Sequence, residues 1–220
     1  MLRSFATDSI QHRIHLYSML NAVPQTYDPT ERRRHVGNML LELIADEGLA
    51  GANIRAVAER AGCSVGAIQK YFRTKDEMLE FALQLVGERV QARILSVDRT
   101  GALVDVVRSW LLATLPLDAE RRAEARIWAE FSVRAIGHRS YSEAAIAVDT
   151  EIRAALTGYL AQGRREGALS TDVETSAVAD ALIALSDGLA LTMLYDQDRE
   201  LEAVAALDVA IKRLLPCPGS

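Results

Sequence analysis

Residues 53–75 read NIRAVAERAGCSVGAIQKYFRTK, and the rest of the chain is interpreted outward from them. Asn53 suits a helix N-cap, because its side-chain oxygen can accept from a backbone N–H that the first turn leaves unpaired. Ile54, Val57, Ala58 and Ala61 then share one helical stripe, with Ala58 small where two crossing helices need close approach. Gly62 falls where that helix must stop, since glycine takes the left-handed conformation without a Cβ penalty. Ser64 caps a second helix whose inward stripe is expected at Val65, Ile68 and Phe72. Gly66, Ala67, Gln69, Lys70, Tyr71 and Arg73 are left facing outward or sideways. Thr74-Lys75-Asp76-Glu77 has the capping-box form that opens another helix. Two short helices about a tight turn, followed by aromatic and basic residues, have the layout of a helix-turn-helix DNA reader. An ordinary helical hairpin is the alternative.

Extended on both sides, the stretch DPTERRRHVGNMLLELIADEGLAGANIRAVAERAGCSVGAIQKYFRTKDEMLEFAL, starting at Asp28, resembles the N-terminal third of the TetR family of bacterial one-component regulators. Members have a first helix ending in a glycine-containing loop, the two-helix reader, and a phosphate-contacting lysine that opens the next helix. Lys75 stands in that last position. A tyrosine that often follows the inward aliphatic of the reader helix is replaced here by Gln69, with Tyr71 two residues later. The resemblance implies double-stranded DNA as a partner. Arg55, Ser64, Tyr71 and Lys75 are then expected on phosphates, and Gly66, Ala67, Gln69 and Lys70 in the groove, where Gln69 suits adenine and Lys70 suits guanine.

The charge distribution agrees with this reading. The chain of 220 residues has a formal net charge of -5, which by itself suits a DNA binder poorly. Residues 28–75, however, carry eight Lys/Arg against six Asp/Glu, and residues 76–220 carry fifteen against twenty-three. Affinity for phosphates is governed by the local face, while an acidic body discourages indiscriminate binding. Half of the chain is apolar but only 5% is aromatic, which favours packed helices over a β-sandwich. No run of 18 apolar residues and no signal-peptide pattern occurs, so neither a membrane span nor export is expected. Two cysteines, Cys63 and Cys217, fit a reducing cytoplasm, with Cys63 read as a small buried residue of the turn.

Residues 1–27 stand apart as an N-terminal tail, read as disordered or loosely docked, with Met19 an alternative start and Arg3 and Arg13 sparse for a minor-groove arm. His12 and His15 share a helical face without a third ligand type nearby, so no metal site is expected. From Asp28 the signals are regular. Asp28-Pro29-Thr30-Glu31 combines an N-cap, a proline at N1 and a glutamate at N3. Val36, Met39, Leu40, Leu43 and Ile44 form the inward stripe of a helix ending near Gly48. Arg32, Arg33 and Arg34 in its first turn oppose the helix dipole and are read either as a solvated face or as phosphate contacts. Further helices are expected at 75–95, with Met78, Phe81, Ala82, Leu85 and Val86 inward, and at 101–115, 119–136 and 140–166. The last two are expected at 171–196, opened by the capping box Thr171-Asp172-Val173-Glu174, and at 199–215. About nine helices with short loops make an all-α fold, read as a helix-turn-helix domain over 28–74 and a ligand-binding and dimerisation domain over 75–217.

The eighth helix, VADALIALSDGLALTMLYD, is apolar almost all round and needs cover on more than one face. Ala179, Ala181, Ala184, Ser186, Gly188 and Ala190 would allow close helix approach. The ninth carries the stripe Leu201, Val204, Leu207, Ile211 and Leu214. The family resemblance implies that these two helices pair with their symmetry mates in a homodimer, and two readers on a two-fold axis suit a palindromic operator. ARIWAEFSVRA and ALSDGLALTML resemble the C-terminal domain of the BetI-like branch and leave the ligand open. An unknown small-molecule effector is expected among helices five to eight, with Trp110, Trp128, Phe131, Tyr159 and Asp187 as candidate contacts and Tyr195 as a further aromatic. Asp187, in a strongly apolar helix, needs a partner if buried: a cationic ligand group, an arginine, or a helix end across the dimer. Four scattered histidines (His12, His15, His35, His138) and the lack of a nucleophile–base pair, phosphate loop or metal spacing argue against an enzyme, and no cofactor is expected. The chain thus reads as a ligand-responsive transcriptional repressor; a helical sensor or carrier that reads no specific DNA is the other reading.

Overall fold

The computed structural model describes residues 28–216. The tail at 1–27, with Met19 and the His12/His15 pair, and Cys217 lie outside the described residues. These form nine α-helices and no strand: α1 (Pro29–Gly51), α2 (Ile54–Arg60), α3 (Val65–Gln69), α4 (Lys75–Leu95), α5 (Leu103–Thr114), α6 (Ala119–Ala135), α7 (Arg139–Arg165), α8 (Thr175–Tyr195) and α9 (Glu200–Leu214), with a 3-10 turn at Gln197–Arg199 before α9. The all-α reading and its helix order hold.

Local chemistry places most of the boundaries. Asp28 Oδ1 accepts from the Thr30 backbone N–H at 3.0 Å to start α1, and the helix kinks where Gly48 takes φ 74°. Asn53 Oδ1 accepts from Ala56 N at 3.0 Å, and Ser64 Oγ from Ala67 N at 3.2 Å, so both reader helices carry the expected caps. Between them Gly62 has φ 62°. The Gly62 N–H reaches Glu59 O at 3.1 Å and the Cys63 N–H reaches Ala58 O at 3.0 Å, a pairing that closes a helix with a left-handed residue. Thr74 Oγ1 accepts from Glu77 N at 3.1 Å. The Glu77 carboxylate returns to the Arg73 N–H at 2.9 Å, one residue earlier than a standard capping box would place it.

One expected boundary is wrong. α8 begins at Thr175 with Glu174 as its N-cap, not at the box beginning with Thr171. Leu169 and Val173 are buried in the body core, and the Val173 carbonyl accepts from the Arg164 guanidinium at 2.9 Å. Residues 169–173 are therefore laid against the core as a turn, and the helix starts after it.

Two apolar cores share α4 as a wall. The first gathers Leu40, Leu43 and Ile44 of α1, Val57 and Ala58 of α2, Ile68, Phe72, and Met78, Leu79 and Leu83 of α4, and it extends to Ile127, Phe131 and Tyr141 of α6 and α7. The second holds α5, the C-terminal part of α7, α8 and α9 around Trp110, Leu160, Leu182 and Leu207. Val90 packs against both. Leu79 and Leu83, outside the expected stripe, are fully buried because α4 is covered on two sides.

Gly37 sets how closely α1 approaches α4: a Cβ there would stand 2.4 Å from Leu85 Cδ1 and 2.7 Å from Phe81 Cε1. Gly158, in the middle of α7, meets nothing within 4 Å. Gly37→Val is expected to destabilise the fold by about 1–3 kcal/mol through overpacking. Gly158→Ala should instead stabilise it by up to about 1 kcal/mol through helix propensity. Chemical-denaturation midpoints of the two variants check both signs.

Candidate nucleic-acid interface and ligand cavity

The short α3 presents its capped end and one side to solvent. Ser64, Gly66, Gln69 and Lys70 are exposed, as is Arg55 on α2, while Ala67, Tyr71 and Lys75 are half-buried. The expected contact residues thus lie around one corner of the molecule, with Ile68 and Phe72 beneath them in the core. Two neighbours differ from expectation. Val65 is 38% exposed and Cys63 is exposed. The inward stripe of so short a helix is completed by Ile68 and Phe72, and the left-handed turn at Gly62 carries Cys63 outward.

The arginine run at the start of α1 divides three ways. The Arg33 guanidinium lies over the rings of Phe81, at 4.4 Å from the centroid, and Phe72, at 5.2 Å, and it faces Glu77 at 3.5 Å. It packs the reader onto α4 rather than pointing away from the fold. Arg34 pairs with Glu88 at 2.6 Å. Arg32 is exposed. At the same end of α4, the Tyr141 hydroxyl donates to Asp76 at 2.5 Å. Burial first and the Asp76 carboxylate second push the Tyr141 pKa up, so the phenol keeps the proton it donates.

The body encloses a cavity of about 450 Å³ walled by α4, α5, α6, α7 and α8. Val86, Val90, Trp110, Leu111, Trp128, Ile152 and Leu156 make most of it apolar. Ser132, Val133, Asp187, Gly188 and Leu191 line it and are also exposed, which puts its mouth between α6 and α8. Of the residues expected around a ligand, Trp110, Trp128 and Asp187 stand in this wall. Phe131 packs on Tyr141 at 5.3 Å and belongs to the first core. Tyr159 stands behind Trp110 at 6.2 Å. Tyr195 is 76% exposed. None of these three lines the cavity.

Polar wall residues that sequence reasoning missed are Arg93, Thr114, Arg121, Glu124, Ser132, Asp149 and Ser186. Nearly all are matched within the protein. Glu124 is buried and takes both Arg93 amino groups, one of them at 3.2 Å, with Arg89 at 3.7 Å. Arg121 donates to Asp118 and to Leu112 O, each at 2.8 Å. Thr114 and Ser186 share a hydrogen bond at 2.9 Å. Arg153 bridges Asp149 at 2.6 Å and Asp180 at 2.7 Å. Asp187 makes neither a hydrogen bond nor an ion pair among the described residues. The open cavity leaves part of its surface free, yet protein atoms surround the carboxyl. Burial first and nearby Asp149 second, opposed by Arg153, push its pKa up to about 6.

Continuous with the cavity mouth, α8 and α9 leave an apolar strip in solvent. It comprises Ala181, Ala184, Gly188, Leu191 and Tyr195 of α8 with Leu201 and Val209 of α9. Leu201, expected inward, is 81% exposed; the inward positions of α9 are Ala203, Leu207 and Ile211. By length and composition α8 could cross a membrane, but one side of it is packed on α5, α7 and α9.

Comparison with known proteins places this arrangement. Residues 40–82 match the profile described as bacterial regulatory proteins, tetR family. Residues 104–216 match that of the BetI-type transcriptional repressor, C-terminal. The HTH-type transcriptional regulator PksA of Bacillus subtilis is 30% identical over 178 residues, 80% of this chain and 85% of that protein. A crystal structure of a transcriptional regulator from Rhodococcus sp. Rha1 is 34% identical with a TM-score of 0.74, over 83% of this chain and 95% of that one. A regulator from Saccharomonospora viridis, solved in complex with choline, shares the fold at 19% identity and a TM-score of 0.70, over 84% of this chain and 95% of that one.

The raised Asp187 carboxyl fixes the sign of a pH effect. The folded state holds this proton more tightly than the unfolded chain does, so the ionised group opposes folding at neutral pH, and that penalty fades as pH falls through about 6. Asp187→Asn should therefore raise the thermal midpoint at pH 7.5. Its advantage over the parent should shrink below about pH 6 and vanish near pH 4, as read by paired melting curves across that range.

Proposed function

Since the chain belongs to the TetR family of bacterial transcriptional regulators, we propose that it is a cytoplasmic, non-enzymatic repressor that binds a palindromic operator as a homodimer and is released by a small-molecule inducer. One observation carries the reading. α4 starts at the DNA-reading corner with Lys75, and over its last three turns it walls the cavity with Val86, Gly87, Val90 and Arg93. In this reading residues 28–74 are the DNA-binding head, and 75–217 are the body that binds ligand and mate.

Arg55, Ser64, Tyr71 and Lys75 bind phosphates, while Gly66, Ala67, Gln69 and Lys70 enter the major groove. Gly66 and Ala67 allow close approach, and Gln69 and Lys70 carry the hydrogen-bonding information. The apolar strip of α8 and α9 is the dimer face, supported by its exposed Leu191, Tyr195, Leu201 and Val209 and by the small residues that let two copies of α8 approach. In the cavity, Trp110, Trp128 and Asp187 touch the effector; Phe131 and Tyr159 act behind the wall, holding α6 and α7. Release requires that the effector bind one α4 position more tightly than the other, since equal affinity shifts nothing.

Selection from a random-sequence DNA library is expected to return a palindrome, and the absence of any enriched sequence would overturn the reading. On that operator Lys75→Ala should weaken binding to all sequences alike and reduce the slope of log affinity against log salt by about 0.9 per subunit. Gln69→Ala should instead relax preference at one position of each half-site.

Placing a charge in the strip by Leu191→Glu is expected to shift the protein from dimer to monomer in sedimentation velocity without loss of helical signal. Val133→Glu, exposed at the cavity mouth on α6, should leave the dimer intact.

A further inference from the structure

We infer that the ligand of the cavity is a bulky organic monocation, its positive centre beside Asp187 and its apolar body against Trp110 and Trp128. The inference rests on the cavity being the effector site and names the chemistry of that effector. Charge accounting in the wall carries it. Glu124 is satisfied by Arg93 and Arg89, and Arg121 by Asp118 and a backbone carbonyl. Asp149 and Asp180 share the single guanidinium of Arg153. Asp187, next in the chain to Ser186 of the Ser186–Thr114 contact and open to the cavity, has no partner among the described residues.

Each ligand charge meets this wall differently. An anion would face two wall carboxylates on the α7–α8 side, Asp149, already paired with Arg153, and the unpaired Asp187. A neutral ligand would strip remaining water from Asp187 and return nothing, a costly arrangement for a carboxylate. A cation supplies the missing partner, and indole faces attract it further. Size sets the body. About 450 Å³ of mostly apolar space is of the order that holds a drug-sized molecule, and a trimethylammonium-sized group would leave most of it empty.

Tetraphenylphosphonium and tetraphenylborate have nearly the same shape and opposite charge, and so isolate the electrostatic part. Each is titrated into the full-length protein with tryptophan fluorescence as the readout, alongside choline and the neutral dye N-phenyl-1-naphthylamine. Saturable binding of the phosphonium is expected, at least tenfold tighter than the borate and choline. A loss of at least tenfold is expected in Asp187→Asn, with dye affinity unchanged in that variant. Borate binding equal to or tighter than phosphonium, or an unchanged phosphonium affinity in Asp187→Asn, would overturn the cation assignment. Dye bound but not displaced by phosphonium would also overturn it and leave the cavity an effector site. If neither dye nor phosphonium binds, the effector-cavity reading itself fails. Gly188→Trp at the mouth serves as a second variant and should weaken dye and phosphonium together.

Discussion

The buried carboxylate of Glu124 is the constraint around which the body is arranged. A charge removed from water must be matched where it lies, and breaking such a match leaves an uncompensated buried ion. The match comes from α4, where Arg89 and Arg93 stand one helical turn apart and both reach Glu124. Arg89 also donates to Asn38 of α1 at 3.1 Å, and Arg93 to Ala113 O at the end of α5 at 3.3 Å. One buried charge therefore ties together α1, α4, α5 and α6. Arg93 and Glu124 are at the same time part of the cavity wall. A displacement of α4 away from α6 would uncover three charges at once, so matched charge holds the helix against α6.

The other end of α4 is held as tightly, by different chemistry. Thr74 and Glu77 cap it, Glu77 faces Arg33, and Arg33 spreads over Phe72 and Phe81. Tyr141 of α7 reaches Asp76 in its first turn. The start of α4 is thus joined to the reader by stacked rings and short polar contacts. α7 touches both ends of the route, with Tyr141 at the reader and Asp149, Ile152 and Leu156 at the cavity.

Much of the fold was legible because helix ends are written in local chemistry. Asp28, Asn53, Ser64 and Thr74 each cap where their side chains allow, Gly62 and Gly167 take the positive φ of a helix stop, and Gly48 takes it to kink α1. The box at Thr171 failed because burial of Leu169 and Val173 outweighed a local signal. Periodicity gives the apolar stripe of a helix but not what covers it. Leu201 and Val65 share their helices' apolar patterns and are exposed, and Leu79 and Leu83 lie outside the pattern and are buried. The cavity wall was legible only in part. Trp110, Trp128 and Asp187 stood out as rare types in their surroundings. Arg93 and Glu124 did not, since one charged residue on each of two helices 31 positions apart looks like surface until the helices cross.

α8 joins the two surfaces that matter to a regulator. Ser186, Asp187, Ala190 and Leu194 line the cavity, Ala181, Ala184 and Tyr195 face solvent, and Gly188 and Leu191 belong to both. The mouth of the cavity and the exposed strip are therefore adjacent stretches of one helix surface. Whatever covers the strip narrows the mouth and withdraws Asp187 further from water, which raises the cost of leaving its charge unmatched. By reciprocity, a cation that matches Asp187 lowers the cost of covering the strip by the same free energy. On the cation reading inferred above, ligand binding and coverage of α8 would bear on each other through one carboxylate, without requiring that the helix move.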